Sequence, residues 1–188
     1  MKVFYHVVTE RPMYLGQEII FDDNHHSGVY KRIQKEKELV NKLYLGYDIK
    51  LTDDLKKALR EYALEEVRVK DFPDYPSRLS CLYVSNSLEE ALFWYNTFIE
   101  QGRPTYQIVK VSVDGSSFTG DAWNCFEGTK DKNKNLELAY NYWNNLDNLK
   151  GEKPIVETLV DGKIKVIEII KENKKDLDLY KGGDTRDK

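Results

Sequence analysis

A chain of 188 residues is long enough for one domain with its own core and short for two. Its 40% hydrophobic and 32% charged residues are an ordinary globular balance, and a net charge of −3 excludes a global positive field for nucleic acid. Two cysteines make no disulfide framework, no apolar run reaches membrane-spanning length, and the N-terminus reads as a strand rather than a signal peptide. Cytoplasmic residence without membrane contact is therefore expected.

Residues 2–9, KVFYHVVT, are rich in β-branched and aromatic side chains and predict a strand. After a loop with Pro12 and Gly16, residues 17–21 predict a short second strand. In the polar turn DDNHHS, Ser27 or Asn24 is placed to cap a helix from Gly28, with Val29, Ile33 and Val40 at near-helical spacing. Thr52 is expected to cap a second helix, with Leu55, Leu59, Tyr62 and Val67 on one face and Pro73 and Pro76 beyond its end. Residues 81–85 predict a short apolar strand. Ser87 and Glu90 have capping-box spacing for a helix carrying Leu88, Ala91, Leu92, Tyr95 and Ile99, stopped at Gly102.

Residues 105–113 read as a strand, 114–134 as a loop anchored by Trp123, and 136–149 as a helix with Tyr140 and Trp143. Residues 155–160 and 163–170 read as two strands joined by Asp161-Gly162, the preferred type I′ hairpin pair. The charged, then Gly-rich stretch 171–188 reads as a flexible tail behind a single domain 1–170. Strands and helices mix without regular βαβ alternation. The expected class is thus α+β with mixed or antiparallel sheets.

Chemistry is sparse. His25 and His26 lie beside Asp22 and Asp23, but neighbouring side chains on extended backbone point opposite ways, and a metal centre needs more ligands. A solvated turn is the expectation there, with no metal. Cys81, in an apolar strand, reads as an inert buried thiol. Neither GxGxxG nor a phosphate loop with GK[ST] is present. Aromatics are plentiful: 13 Tyr, 7 Phe and 3 Trp, residue types that pack cores and also face flat ligands.

Three pieces stand out in order: FYHVVT at 4–9, LYVSNSLEEA at 82–91, and VETLVDGKIKVIEI at 156–169. In this arrangement the chain resembles the ADP-ribosyltransferase superfamily, in the His–Tyr–Glu branch typified by diphtheria toxin, and most closely an uncharacterised bacterial family near that branch. The resemblance implies two small sheets forming an NAD cleft, with helices outside. It implies that His6 binds the NAD ribose with Thr9 nearby, and that Tyr83, followed by Ser85, stacks on nicotinamide. Trp94 or Tyr95 on the following helix would be the second stacking aromatic. Glu157 would be the catalytic acid, and it stands alone, because position 155 is Ile.

NAD is then the substrate, no metal is involved, and a macromolecule, protein or nucleic acid, accepts the ADP-ribose. Toxin, effector or phage-conflict roles in bacteria go with that resemblance. Singly, His6, Tyr83 and Glu157 also fit structural roles. Two alternatives stand beside this reading. One is a catalytically inert binding module of the same fold. The other is an RNA 2′-phosphotransferase-like enzyme, for which Arg11, Arg32 and Arg78 are the candidate phosphate ligands.

Overall fold

The computed structural model describes residues 1–21, 25–148 and 150–183. In chain order these form β1 (Lys2–Val8), β2 (Glu18–Ile19), α1 (Gly28–Ile33), α2 (Lys37–Tyr44), α3 (Asp53–Asp71), β3 (Leu82–Val84), α4 (Leu88–Glu100), β4 (Gln107–Asp114), β5 (Ser117–Asp121), α5 (Lys132–Trp143), β6 (Val156–Val160), β7 (Lys163–Glu172) and α6 (Lys174–Gly183). The class is α+β, with two small antiparallel sheets and several helices. The chain divides into two compact units made of discontinuous segments. Met1–Ile20, Leu82–Gly115 and Val160–Lys188 form the first; Phe21–Cys81 and Ser116–Leu159 form the second.

The first unit is built on a four-stranded sheet in the order β1-β4-β7-β2. β1 runs antiparallel to β4 without a slip, from Lys2 opposite Val113 to Val8 opposite Gln107. The apolar run of β4 explains its central place, for Ile108, Val109 and Val111 are fully buried. Helix α4 packs Ala91 and Tyr95 against Val7 and Ile108 of the sheet. Its start follows the capping rule: Ser87 Oγ accepts the Glu90 N–H at 3.1 Å. The Glu90 carboxylate reaches back to the Asn86 N–H at 2.9 Å, one residue short of the usual capping-box donor. Gly102, at φ +71°, turns the chain out of the helix.

In the second unit α3 is the organising helix. Thr52 caps it, accepting the Leu55 N–H at 3.2 Å, and its apolar face buries Leu55, Ala58 and Leu59 against Ile33, Val40 and Leu43. Ser27 caps α1 as expected, its Oγ accepting the Tyr30 N–H, while Asn24 lies outside the described residues. A 3-10 turn, Gln34–Glu36, interrupts the predicted helix between Ile33 and Val40. Trp143 of α5 donates its indole N–H to the Leu64 carbonyl at 2.7 Å, fixing α5 on α3. Phe118 of β5 packs on Tyr142 and Trp143 at ring distances of 5.4 and 4.9 Å.

Several sequence expectations need correction. Residues 114–134 are not one loop, because β5 forms within them. Phe118, at 5% exposure, gains a place in the aromatic cluster, and that tertiary packing overrides the weak strand propensity of SFTGD. Trp123 is not a buried anchor; it is half-buried, with the Lys150 ammonium 3.7 Å above its ring. Helix α5 starts earlier and ends earlier than 136–149. Asp131 caps it through the Lys134 N–H, and Asn145 at φ +51° lies just past its end. Leu149 lies outside the described residues.

Asp161-Gly162 does not close a hairpin. β6 neighbours β5, whereas β7 pairs with β4 and β2. Gly162 does take the expected positive φ, +85°, but it serves a close backbone approach. A Cβ on Gly162 would lie 2.5 Å from the Asp114 carbonyl oxygen. The charged stretch after Lys171 is also structured as far as residue 183. β7 runs on to Glu172, and in α6 Asp176 accepts the Thr105 N–H at 2.8 Å.

Candidate functional site

In the first unit β1 carries His6, and Tyr83 lies on β3. The segments meet through paired backbone bonds between Tyr5 and Ser85, at 3.0 and 2.7 Å. His6 Nδ1 lies 2.7 Å from the Tyr83 carbonyl oxygen. A carbonyl only accepts, so Nδ1 carries the proton and Nε2 of the neutral ring is left as an acceptor. Burial, with the Arg103 cation adding to it, outweighs that bond and lowers the His6 pKa to about 4. The ring is therefore neutral at pH 7, and Nε2 suits a hydroxyl donor such as a ribose.

The other expected residues of this unit are placed unequally. Thr9 Oγ1 accepts from Arg103 at 2.8 Å, and the Arg103 guanidinium lies 4.5 Å from the centre of the Phe98 ring. Ser85 is buried and holds the bridge to Tyr5. Tyr95 is a core residue at 4% exposure, with the Lys171 ammonium 4.5 Å from its ring. Trp94 remains half-buried between Phe93 and Phe98, at 5.4 and 5.6 Å. Of the two aromatics, Trp94 is the one with a surface left for a ligand.

The second unit holds a denser constellation around Glu157 of β6. The loop after α3 first fixes Arg78. Glu65 accepts from the Ser77 hydroxyl at 2.8 Å, Arg68 donates to the Tyr75 carbonyl at 3.0 Å, and Ser27 Oγ donates to the Arg78 carbonyl at 2.9 Å. Arg78 then reaches two carboxylates. Its Nε donates to Glu61 Oε2 at 2.9 Å, and its Nη1 donates to Glu157 Oε1 at 2.6 Å and to the Tyr142 hydroxyl at 2.7 Å. The Tyr142 hydroxyl in turn donates a hydrogen bond to Glu157 Oε1 at 2.7 Å. The Cys125 thiol lies 3.7 Å from the same oxygen. Among the described residues every hydrogen bond to Glu157 ends on Oε1.

Burial sets the electrostatics. Glu61 and Arg78 have side chains only 1% and 6% exposed, whereas Glu157 keeps 14%. Burial pushes the Glu61 carboxyl up, but Arg78 and Arg60 outweigh it and hold the group below its ordinary range. Burial works against the Arg78 charge, but the Glu157 and Glu61 carboxylates beside it keep the guanidinium firmly cationic. Burial outweighs the nearby Arg78 cation and, with Glu157 and Glu61 adding to it, pushes the Cys125 thiol up to about 12, so it stays a donor. The four charged side chains, Glu61, Glu157, Arg60 and Arg78, sum to zero. A buried network of this kind seldom adds more stability than an apolar packing of equal volume. A chain that keeps one, with a single carboxylate partly open, has a candidate site on physical grounds.

Of this cluster only Glu157 is marked by a sequence motif, with Arg78 marked in another role, as a phosphate ligand. As a phosphate ligand Arg78 is poorly placed, because two carboxylates already grip it. Arg32 is exposed and bonds the Gly28 carbonyl at 3.1 Å. Glu61 carried a legible signal: it sits in the three-residue row Leu55, Ala58, Glu61, Leu64, Val67, an acid in an otherwise apolar stripe of α3. Tyr142 and Cys125 carried none. His26 stacks on Tyr30 at 3.8 Å, and Asp22 and Asp23 lie outside the described residues. Cys81 is buried, as expected of a thiol in an apolar strand.

No group of three His, Cys, Asp or Glu that could hold a metal occurs among the described residues, nor a helix long and apolar enough to cross a membrane. Fold and site together define an α+β protein with two small antiparallel sheets and a buried ionic cluster around a strand-borne glutamate. The chain belongs to the family described as protein of unknown function (DUF2441), whose model matches residues 4–172. No curated protein matches the sequence.

Proposed function

We propose that the chain is an NAD-dependent ADP-ribosyltransferase acting on a macromolecular acceptor, protein or nucleic acid. The observation that carries the reading is Glu157, a strand-borne carboxylate held by donors on one oxygen and still partly open. Cleavage of the N-glycosidic bond of NAD sends the electron pair to the nicotinamide nitrogen and leaves an oxocarbenium-like cation on the ribose. A fixed carboxylate stabilises that charge. The acceptor's nucleophilic atom then bonds to C1′ and gives up its proton. For the first unit taken by itself, the resemblance implies that His6 Nε2 accepts from a ribose hydroxyl and that Tyr83 and Trp94 face nicotinamide. A bacterial cytoplasm suits the two thiols, and a toxin, effector or phage-conflict role follows from the same resemblance.

One observation favours a second reading, an inert binding module of the same fold. Arg78 sits directly on Glu157 and offsets part of the negative field an enzyme of this kind needs. A calorimetric titration with NAD tests the first reading at its base. NAD is expected to bind the wild type, and Tyr83→Ala to weaken that binding by roughly 1 kcal/mol. His6→Ala should weaken it by about 0.5–1.5 kcal/mol, the worth of one hydrogen bond. A wild type that binds no NAD removes the transferase reading.

A further inference from the structure

We infer that Arg78 and Tyr142 are positioning residues for Glu157: they occupy its Oε1 and leave Oε2 as the one oxygen with which this carboxylate meets substrate. The inference rests on the transferase reading above. A guanidinium has no acceptor, so the Tyr142 hydroxyl must accept from Arg78 at 2.7 Å, and its single proton must point to Glu157 Oε1. Arg78 Nη1 also bonds Oε1 directly at 2.6 Å. The ring Arg78–Tyr142–Glu157 closes with one arrangement of protons. Cys125 adds a third, weaker donor to the same oxygen.

Glu61 completes the device. It takes Arg78 Nε at 2.9 Å and Nη2 at 3.4 Å, which fixes the guanidinium plane, and Arg60 Nε holds Glu61 Oε1 at 2.9 Å. The Arg78 charge is therefore divided between two carboxylates. Glu157 is oriented by Arg78 without being its sole counter-ion. Tyr142 is fully buried and lies under Arg78, whose Cζ is 5.1 Å from the ring centre, so Tyr142→Phe keeps the packing and removes one donor.

The test is a double-mutant cycle on the full chain, read as nicotinamide release from NAD, with NAD affinity and thermal midpoint measured alongside. Tyr142→Phe should bind NAD within about twofold of wild type and release nicotinamide about tenfold more slowly, the scale of a modest misplacement at a reacting centre. On a Glu157→Gln background the same change should slow release no further, because Tyr142 acts only through Glu157. Arg78→Lys, which keeps the cation and loses the fork, should show the same non-additivity. Full release by Tyr142→Phe in an active protein overturns the positioning role and leaves the transferase reading standing. So does an effect that multiplies in full on the Glu157→Gln background. A wild type that binds NAD but releases no nicotinamide removes both.

Discussion

His6 is the residue whose environment makes the sharpest pH prediction. Its folded pKa, about 4, lies below the ordinary 6.5, so the unfolded chain binds the extra proton first as pH falls. The neutral ring's contribution to stability is complete above pH 6.5 and is lost between 6.5 and 4. The loss is steepest near about 1.4 kcal/mol per pH unit, the limit for one proton. Urea midpoints of wild type and His6→Asn across this window should converge on acidification. A constant difference would contradict a half-buried ring held neutral. His6 was legible as a strand histidine because β-branched neighbours surround it; its partner, the Tyr83 carbonyl 77 residues away, was not. The same holds at Glu157, where the acid could be read from VETLV but its three donors, on separate elements, could not.

At the scale of elements, what the sequence wrote locally was readable. Ser27, Thr52 and Ser87 are caps because a short polar side chain sits one residue before an apolar-periodic run. Ser87→Ala should lower stability by about 1 kcal/mol, measured by urea denaturation, and Ser87→Thr should restore most of it. An unchanged midpoint in Ser87→Ala would mean that α4 is held by its packing on Val7 and Ile108 alone. Partner choice among strands was less readable. Asp161-Gly162 carries the dihedral signature of a hairpin, yet β7, ten residues long, takes its ladder from β4 instead. A turn pair fixes local dihedrals; it does not decide which strand offers the longer apolar ladder. β5 is hard to read for a related reason, since only Phe118 and Thr119 among its five residues are good strand formers, and Gly120 and Asp121 read as turn residues.

For the whole molecule, each of the two compact units is made of discontinuous segments, so neither is a continuous stretch that composition could mark off. The end of the chain is the clearest case. Its charge suggested a loose tail, but Asp176 satisfies the N–H of fully buried Thr105, and Tyr180 meets Tyr106 at 5.5 Å. Asp176→Ala strands a buried donor and should cost about 1–3 kcal/mol, lowering the thermal midpoint by several degrees. A midpoint equal to wild type would show that the bond from the Thr105 N–H to Asp176 contributes nothing to stability.

Whether Glu157 serves chemistry on NAD is decided by nicotinamide release from wild type and Glu157→Gln, measured side by side. The variant is expected to keep NAD affinity within about twofold and to release nicotinamide about a hundredfold or more slowly, as when one preorganised electrostatic group is lost. Equal release by the two proteins, or none by the wild type, would contradict that role.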